Sequence, residues 1–149
     1  MIQNKHNCYI AGPWFTPEAD EIIEQIKTTL LGLDQNYFSP KDDCLFEPGT
    51  MTPQGVLDVN VEAMKHTDYV ICVTDGQDPG TMFEAGWSYA MKVPIIYLWL
   101  GGKPKDKFNL VLAASGAVTR SYEQLAEAVS DFNDGTLEIR NYGEEPEYE

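Results

Sequence analysis

Short apolar runs alternate along this chain with longer stretches in which apolar residues recur at helical spacing. The run from Tyr69 to Thr74 is rich in β-branched residues and is typical of a buried parallel strand. The stretch from Pro17 to Leu31 carries apolar side chains three or four positions apart, as an amphipathic helix does. The pattern predicts strands over residues 8–12, 36–39, 69–74, 93–99 and 117–118, and helices over residues 17–31, 54–66, 81–92, 109–114 and 122–132.

Strands that alternate with helices imply a parallel sheet covered by helices on both faces. We therefore expect an α/β fold, a three-layer sandwich with a central parallel sheet of about five strands, of the flavodoxin-like or Rossmann-like kind. Two loops interrupt the alternation. Residues 41–52 form a segment long enough to be functional, and residues 101–107 form a turn-rich basic loop.

The last residues of the chain have a composition of their own. From Asp134 onward there are six acidic residues against Arg140 alone. This composition predicts an extended, solvated tail over residues 134–149, which follows a single domain over residues 1–133. Tyr142 and Tyr148 depart from the pattern, because an aromatic side chain in a polar tail often marks a docking point on another surface.

Composition and charge restrict the class of protein. A length of 149 residues with 43% hydrophobic content suits one ordinary core, and the net charge of −14 argues against a nucleic-acid partner. No apolar run reaches about 18 residues, so we expect a soluble, cytoplasmic protein without a membrane partner. Cys8, Cys44 and Cys72 have neither disulfide nor metal-ligand spacing, and Cys8 and Cys72 are expected in the core. The sequence implies no metal and no organic cofactor.

The stretch from Asp78 to Gly86 places one carboxylate, Glu84, among apolar and small residues just after a strand and a turn. Burying that carboxylate would be costly unless its charge is used. A purely structural alternative is a capping box, in which Thr81 caps the helix and Glu84 reaches back to its backbone N–H. The two interpretations are compatible, since a carboxylate in the first helical turn stays ionised, as a nucleophile must. Asp78 follows the strand, where open α/β sheets usually place site residues.

Five motifs occur in an order that resembles one known family. They are Tyr9-Ile10-Ala11-Gly12-Pro13-Trp14-Phe15, Asp58-Val59-Asn60, Asp68, Asp78-Pro79-Gly80-Thr81-x-Phe83-Glu84-x-Gly86 and Phe108-Asn109-Leu110. Together they span about residues 8 to 116 and resemble the nucleoside 2-deoxyribosyltransferase family. The block that begins at Asp78 is the most specific of the five, because many nucleotide-binding folds share a glycine after the first strand.

The resemblance implies that the base of a 2-deoxyribonucleoside is exchanged, with Glu84 matching the covalent nucleophile. A carboxylate close to C1′ can trap oxocarbenium character as a deoxyribosyl ester, and attack by a second base then retains the configuration. Tyr9 matches a tyrosine that hydrogen-bonds the nucleophile, with a core position as the alternative. Asp78 matches a residue that contacts the nucleoside. Asn60 stands where the family often has Asp, with Asp58 two residues earlier, which leaves the proton donor open.

Further residues match substrate contacts of the family. Asn109 matches a residue that binds the 5′-hydroxyl of the sugar from a neighbouring subunit, although helix N-capping would be an equally simple use. Gly12 and Gly80 belong to the matching motifs. Trp14, Phe15 and Phe46 could sandwich a base, but core packing explains each of them about as well.

The resemblance also implies an assembly and small-molecule partners. The family forms homo-oligomers, commonly hexamers built from dimers, so we expect a dimer-based oligomer that takes deoxynucleosides and free nucleobases. A tail that completes a neighbour's site would explain Tyr142 and Tyr148. Asp58 is a further candidate substrate contact.

Two other functions stay open at this point. A related class of enzymes hydrolyses the N-glycosidic bond of nucleoside 5′-monophosphates and needs a phosphate cradle. In the loop after the first strand Pro13 removes a backbone donor, and Asn109 stands where those hydrolases tend to have Ser, so both positions favour a free nucleoside. The second alternative is a non-catalytic nucleotide-sensing module on the same fold.

Overall fold

A parallel sheet forms the centre of the computed structural model, which describes residues 5–101 and 106–149. In this described part, five strands pair in the order β2-β1-β3-β4-β5, and every pairing is parallel. The strands are β1 (His6–Ala11), β2 (Tyr37–Phe38), β3 (Thr67–Val73), β4 (Ile95–Leu98) and β5 (Ala117–Thr119). The helices are α1 (Pro17–Gly32), α2 (Pro40–Asp43), α3 (Pro53–Lys65), α4 (Pro79–Ala90), α5 (Leu110–Ser115) and α6 (Tyr122–Asn133). The predicted α/β fold with about five parallel strands is confirmed.

Alternate residues of each strand build two apolar clusters, one on each face of the sheet, because successive side chains of a strand point to opposite faces. On one face Cys8 and Ile10 pack with Ile26 of α1 and Leu125 of α6. The other face carries a cluster of its own, and its members include Tyr9, Cys72, Tyr97, Met64 of α3 and Ala85 of α4. The sheet is therefore covered on both sides, and Tyr9 belongs to the face that α3 and α4 cover.

The prediction differs from the structure in the segment after β2 and at the start of helix α4. Residues 40–43 form the short helix α2 within a segment that was expected to be a loop, because Pro40 begins a turn and Cys44 N–H closes it on Pro40 O at 2.9 Å. Helix α4 begins at Pro79, two residues before the expected start, since Asp78 caps it. Residues 102–105 of the predicted basic loop, like residues 1–4, lie outside the described residues.

The C-terminal segment does not extend into solvent as expected. Val118 N–H donates to Arg140 O and Tyr142 N–H to Val118 O, both at 2.9 Å, so the tail covers the outer edge of β5. Farther on, Glu149 N–H donates to Phe108 O at 3.0 Å. The composition of the tail suggested solvation, but the edge strand β5 offers backbone groups that need partners, and the tail supplies them. Within the described ranges, no helix is long and apolar enough to cross a membrane.

Candidate active site

Glu84 is placed by the way helix α4 begins. Asp78 Oδ2 accepts hydrogen bonds from the backbone N–H and the hydroxyl of Thr81, each at 2.9 Å. Pro79 takes the first helical position, where its missing N–H costs nothing. The alternative of a capping box with Thr81 as the cap is therefore wrong, because Asp78 is the N-cap. Because Asp78 satisfies the helix start, the side chain of Glu84 is free for another contact.

That contact is with Tyr9 of β1. The tyrosine is fully buried, its ring stacks on Phe38 of β2 at a centroid distance of 5.5 Å, and its hydroxyl donates to Glu84 Oε2. Burial, reinforced by the neighbouring carboxylate, raises the pKa of Tyr9 far above its ordinary value, so the hydroxyl keeps its proton. Tyr9 thus acts as a fixed donor to one oxygen of Glu84.

The surroundings of Glu84 shift its own acidity. Burial raises the pKa of its carboxyl group from 4.5 to about 7, the hydrogen bond from Tyr9 lowers it, and the charge of Asp78 raises it. A carboxyl group with such a pKa is partly ionised at neutral pH and only weakly solvated. A perturbed carboxyl group in a cleft is a common property of catalytic sites.

Glu84 lies in the wall of a cleft of about 370 Å³ between α3, α4 and the loop after α2. This volume is within the range of small-molecule sites. Asn60 of α3 also lines the cleft, and its buried Oδ1 has no hydrogen-bond partner within residues 5–101 and 106–149. Leaving a buried acceptor unpaired costs about 1–3 kcal/mol, so Asn60 is suited to a ligand that offers a donor. The full lining is Phe46, Pro53, Val56, Leu57, Asn60, Met64, Gly80, Phe83 and Glu84.

The structure brings together only some of the residues singled out in the sequence. Glu84, Tyr9, Asn60 and Gly80 meet at this cleft, with Asp78 at the start of α4. Asp58 lies on another side of α3, where it accepts a hydrogen bond from Gln54 at 2.8 Å and lines a neighbouring groove.

The remaining candidates occupy other parts of the molecule. Trp14 and Tyr142 pack against the apolar cluster on the opposite face of the sheet from Tyr9. Phe15 is exposed and contacts Trp14 at a centroid distance of 4.9 Å. Asn109 caps α5, where its Oδ1 accepts hydrogen bonds from the backbone N–H groups of Val111 and Leu112, at 2.9 and 3.1 Å. A Cβ on Gly12 would come within 3.0 Å of Ile23 and Val73, so this glycine permits close packing of α1 on the sheet.

A second groove, of about 390 Å³, opens beside the loop after β1, and Pro13 and Phe15 line it. Its acidic side chains are Glu18, Asp75 and Asp78. Three carboxylates would repel a phosphate dianion, so this groove is electrostatically unsuited to a 5′-phosphate. In the described part of the chain, no three His, Cys, Asp or Glu side chains are grouped as metal ligands would be.

Sequence reasoning missed the apolar wall that α3 contributes to the cleft. Pro53, Val56, Leu57 and Met64 share a face with Asn60, at the i, i+3, i+4, i+7 spacing of one helical stripe. The spacing was visible in the sequence, but an amphipathic helix ordinarily turns such a stripe toward the core. Phe83 belongs to the same wall from α4 and is more than half exposed.

Comparison with known proteins identifies the family. The sequence model of the family described as nucleoside 2-deoxyribosyltransferase matches residues 8–114, most of the chain. The chain belongs to this family, which supports nucleoside deoxyribosyl transfer as its general class of activity. Comparison with curated protein sequences gives no significant match.

Several solved structures share the fold. A 2-deoxyribosyltransferase from Bacillus psychrosaccharolyticus superimposes with a TM-score of 0.74 at 24% identity, covering 91% of this chain and 98% of its own. A conserved protein from Enterococcus faecalis V583 also gives 0.74, at 18% identity over 87% of this chain and 99% of its own. A 2-desoxiribosyltransferase from Leishmania mexicana gives 0.52 at 21% identity, covering 66% of this chain and 67% of its own. At these identities the similarity establishes the fold alone.

Proposed function

We propose that the protein exchanges the base of a 2-deoxyribonucleoside through a deoxyribosyl ester on Glu84. The observation that carries the proposal is the Glu84 carboxyl group, hydrogen-bonded by buried Tyr9 and lying in the wall of a cleft of nucleoside size. Membership of the family supplies the reaction class.

In the first half-reaction a carboxylate oxygen of Glu84 attacks C1′. The bond between C1′ and the base nitrogen breaks, the C1′–O bond forms, and the base leaves with the bonding electrons and takes up a proton. In the second half-reaction another base loses a proton, attacks C1′ and displaces Glu84. Two inversions at C1′ give net retention, and the two proton transfers cancel over the full exchange.

Each neighbouring residue has a role that fits its contacts. Because Tyr9 donates to Oε2, we assign the attack to Oε1 of Glu84. Asn60 offers an unpaired amide oxygen to an N–H group of the base. An amide has no acidic proton, so Asn60 binds the base and the proton comes from water or from a carboxyl group. Asp78 is our candidate for contact with the sugar, since it is close enough for its charge to act on Glu84.

We further propose that the site is shared between subunits. In the described chain, Asn109 and Tyr142 lie away from the cleft that contains Glu84. If Asn109 binds substrate as the family resemblance implies, it does so in the cleft of a neighbouring copy, and we assign Tyr142 of the tail to the same neighbouring cleft. The same arrangement would give the acidic tail a function in a dimer-based oligomer.

Chromatography of base exchange tests the proposal. We expect the purified protein, incubated with thymidine or deoxyinosine and free adenine, to form deoxyadenosine. Glu84→Gln should abolish this product, whereas Glu123→Gln, at an exposed carboxylate on α6, should not. A deoxynucleoside monophosphate without an acceptor base serves as the control for hydrolysis. Free base released only from the monophosphate would assign the protein to the hydrolases, and no turnover of either substrate would favour the sensing module.

A further inference from the structure

A cluster of charged side chains joins α1 to the short helix α2. Lys27 of α1 is buried, with a side chain 8% exposed, and its Nζ lies 2.5 Å from Asp42 Oδ2 and 2.9 Å from Glu24 Oε1. Lys41 of α2 contacts Asp20 and, at 3.1 Å, Glu24. Within the described residues, the cluster sets two lysines against three carboxylates.

Helix α2 leads directly into one wall of the cleft. Cys44, the next residue, is buried in the same apolar cluster as Tyr9, and Phe46 lines the cleft that contains Glu84. Residues 45–50 are exposed, so little packing holds the middle of this loop. Its position depends on its two ends, which are α2 on one side and the capped start of α3 at Thr52 on the other.

The ion pair of Lys27 with Asp42 holds α2, the first end of this loop, against α1. The ammonium group of Lys27 is almost removed from water, and two carboxylates compensate it. Without Lys27, Asp42 would lose the ion pair that joins it to α1, and its repulsion from the acidic residues of α1 would push the two helices apart. A displacement of α2 would be passed to Phe46, four residues beyond Asp42.

We propose that Lys27 is a positioning residue for the base-binding wall of the cleft, because its ammonium group holds α2 against α1 and thereby fixes the loop that carries Phe46. This inference rests on the proposed function, since it assigns the affected wall to the base. Lys27 touches neither the substrate nor the reacting atoms. Its effect should therefore fall on the affinity for the nucleoside more than on the chemical step.

The kinetic test compares Lys27→Met with Lys65→Met, which removes an exposed lysine 3.8 Å from Glu62. We expect Lys27→Met to raise KM for the deoxynucleoside about fivefold or more while kcat stays within about twofold, and Lys65→Met to change neither. Because repulsion is screened by salt, about 0.5 M NaCl should recover much of the lost affinity in Lys27→Met. An unchanged KM, an equal effect in Lys65→Met, or a rise in KM that salt does not reduce would overturn the proposal.

A second measurement does not depend on activity. Amide hydrogen exchange over residues 44–51 should be faster in Lys27→Met than in the unmodified protein and in Lys65→Met. If Lys27→Met does not fold, Asp42→Asn at the exposed end of the pair should give a smaller change in the same direction, and no change would overturn the proposal. Lack of base exchange by the unmodified protein would instead refute the proposed function. The rates of amide hydrogen exchange would still report whether Lys27 holds the loop.

Discussion

Burial and hydrogen bonding act in opposite directions on the carboxyl group of Glu84. Burial raises its pKa to about 7, and the hydrogen bond from Tyr9 limits the rise. The ordinary pKa of the group is 4.5. Between these two pH values the folded protein retains a proton that the unfolded chain has released, so the free energy of unfolding falls as pH rises through this window and stays lowered above it.

Replacing Glu84 by Gln removes this titration. We expect Glu84→Gln to gain stability relative to the unmodified protein as pH rises from about 5 to about 8, by at most about 3 kcal/mol. Turnover should fall by about 10³-fold or more, because the amide cannot attack C1′. Denaturant unfolding at the two pH values measures the first effect, with Glu123→Gln as the control. A stability difference independent of pH would contradict the raised pKa.

Substitutions at Tyr9 and Asp78 should shift the pH dependence of catalysis in opposite directions. In the proposed reaction only the ionised carboxylate of Glu84 attacks, so kcat/KM should rise with pH to a plateau, with a midpoint near 7. Tyr9→Phe removes the hydrogen bond that lowers the pKa of Glu84, so the midpoint should move to higher pH. Asp78→Asn removes a charge that raises this pKa, so the midpoint should move to lower pH. Identical midpoints in all three proteins would show that Glu84 is not the titrating group.

Asn60 and Asp58 illustrate what a sequence can decide about single residues. They are two positions apart on a helix, so their side chains point in widely different directions and only one of them can face a given cleft. The sequence could therefore exclude a joint role, but it could not say which of the two faces Glu84. Which residue faces the cleft depends on how α3 packs against α4. The structure places Asn60 there, with its side-chain oxygen buried and unpaired.

Asp78, which belongs to the most specific motif of the sequence, is the N-cap of helix α4. Its side chain accepts two hydrogen bonds from Thr81 and sets the first turn of the helix that carries Glu84. Local pattern offered Thr81 as an alternative cap, since Thr81 and Glu84 have the spacing of a capping box. Two overlapping capping patterns cannot be separated without the geometry of the turn, whereas the helix itself was evident from its spacing.

Substitutions at Asp78 should separate its structural contribution from its charge. We expect Asp78→Ala to lower the free energy of unfolding by about 1–2 kcal/mol, because the N-cap acceptor is lost. Asp78→Asn keeps an acceptor in place and should lower the free energy of unfolding by only about a few tenths of a kcal/mol. Thermal or denaturant unfolding measures both variants. Equal losses would mean that the charge of Asp78, and not its capping oxygen, stabilises the helix.

Hydrophobic pattern predicted all five strands and every helix except α2, whose four residues are too few to show a buried face. It failed for the tail, where acidic composition suggested solvent and the backbone instead pairs with the edge of β5. Tyr142 supports this docking, since its hydroxyl donates to Asp131 at 2.5 Å and Arg140 stacks on its ring at 3.7 Å. Such partners depend on which sheet edge is left open, and composition carries no information about that.

The proposed sharing of sites between copies can be tested by complementation. We expect Glu84→Gln and Asn109→Ala proteins each to be impaired as separate oligomers. When the two are dissociated, mixed and reassembled, some sites combine an intact Glu84 from one copy with an intact Asn109 from another, and activity should return in part. The return of activity is measured as the kcat of the mixture, compared with the kcat of each variant dissociated and reassembled alone. No recovery from oligomers shown to be mixed would place both residues in the same subunit's site.

In the proposed reaction Glu84 carries the deoxyribosyl group between the two half-reactions. The most direct measurement is mass spectrometry of the protein after brief incubation with a deoxynucleoside alone, acid quenching and proteolysis. We predict a mass increase of one deoxyribosyl group on the peptide that contains Glu84, which disappears when adenine is added before quenching and is absent from Glu84→Gln. Base exchange without such an adduct, or exchange that persists in Glu84→Gln, would show that Glu84 is not the nucleophile.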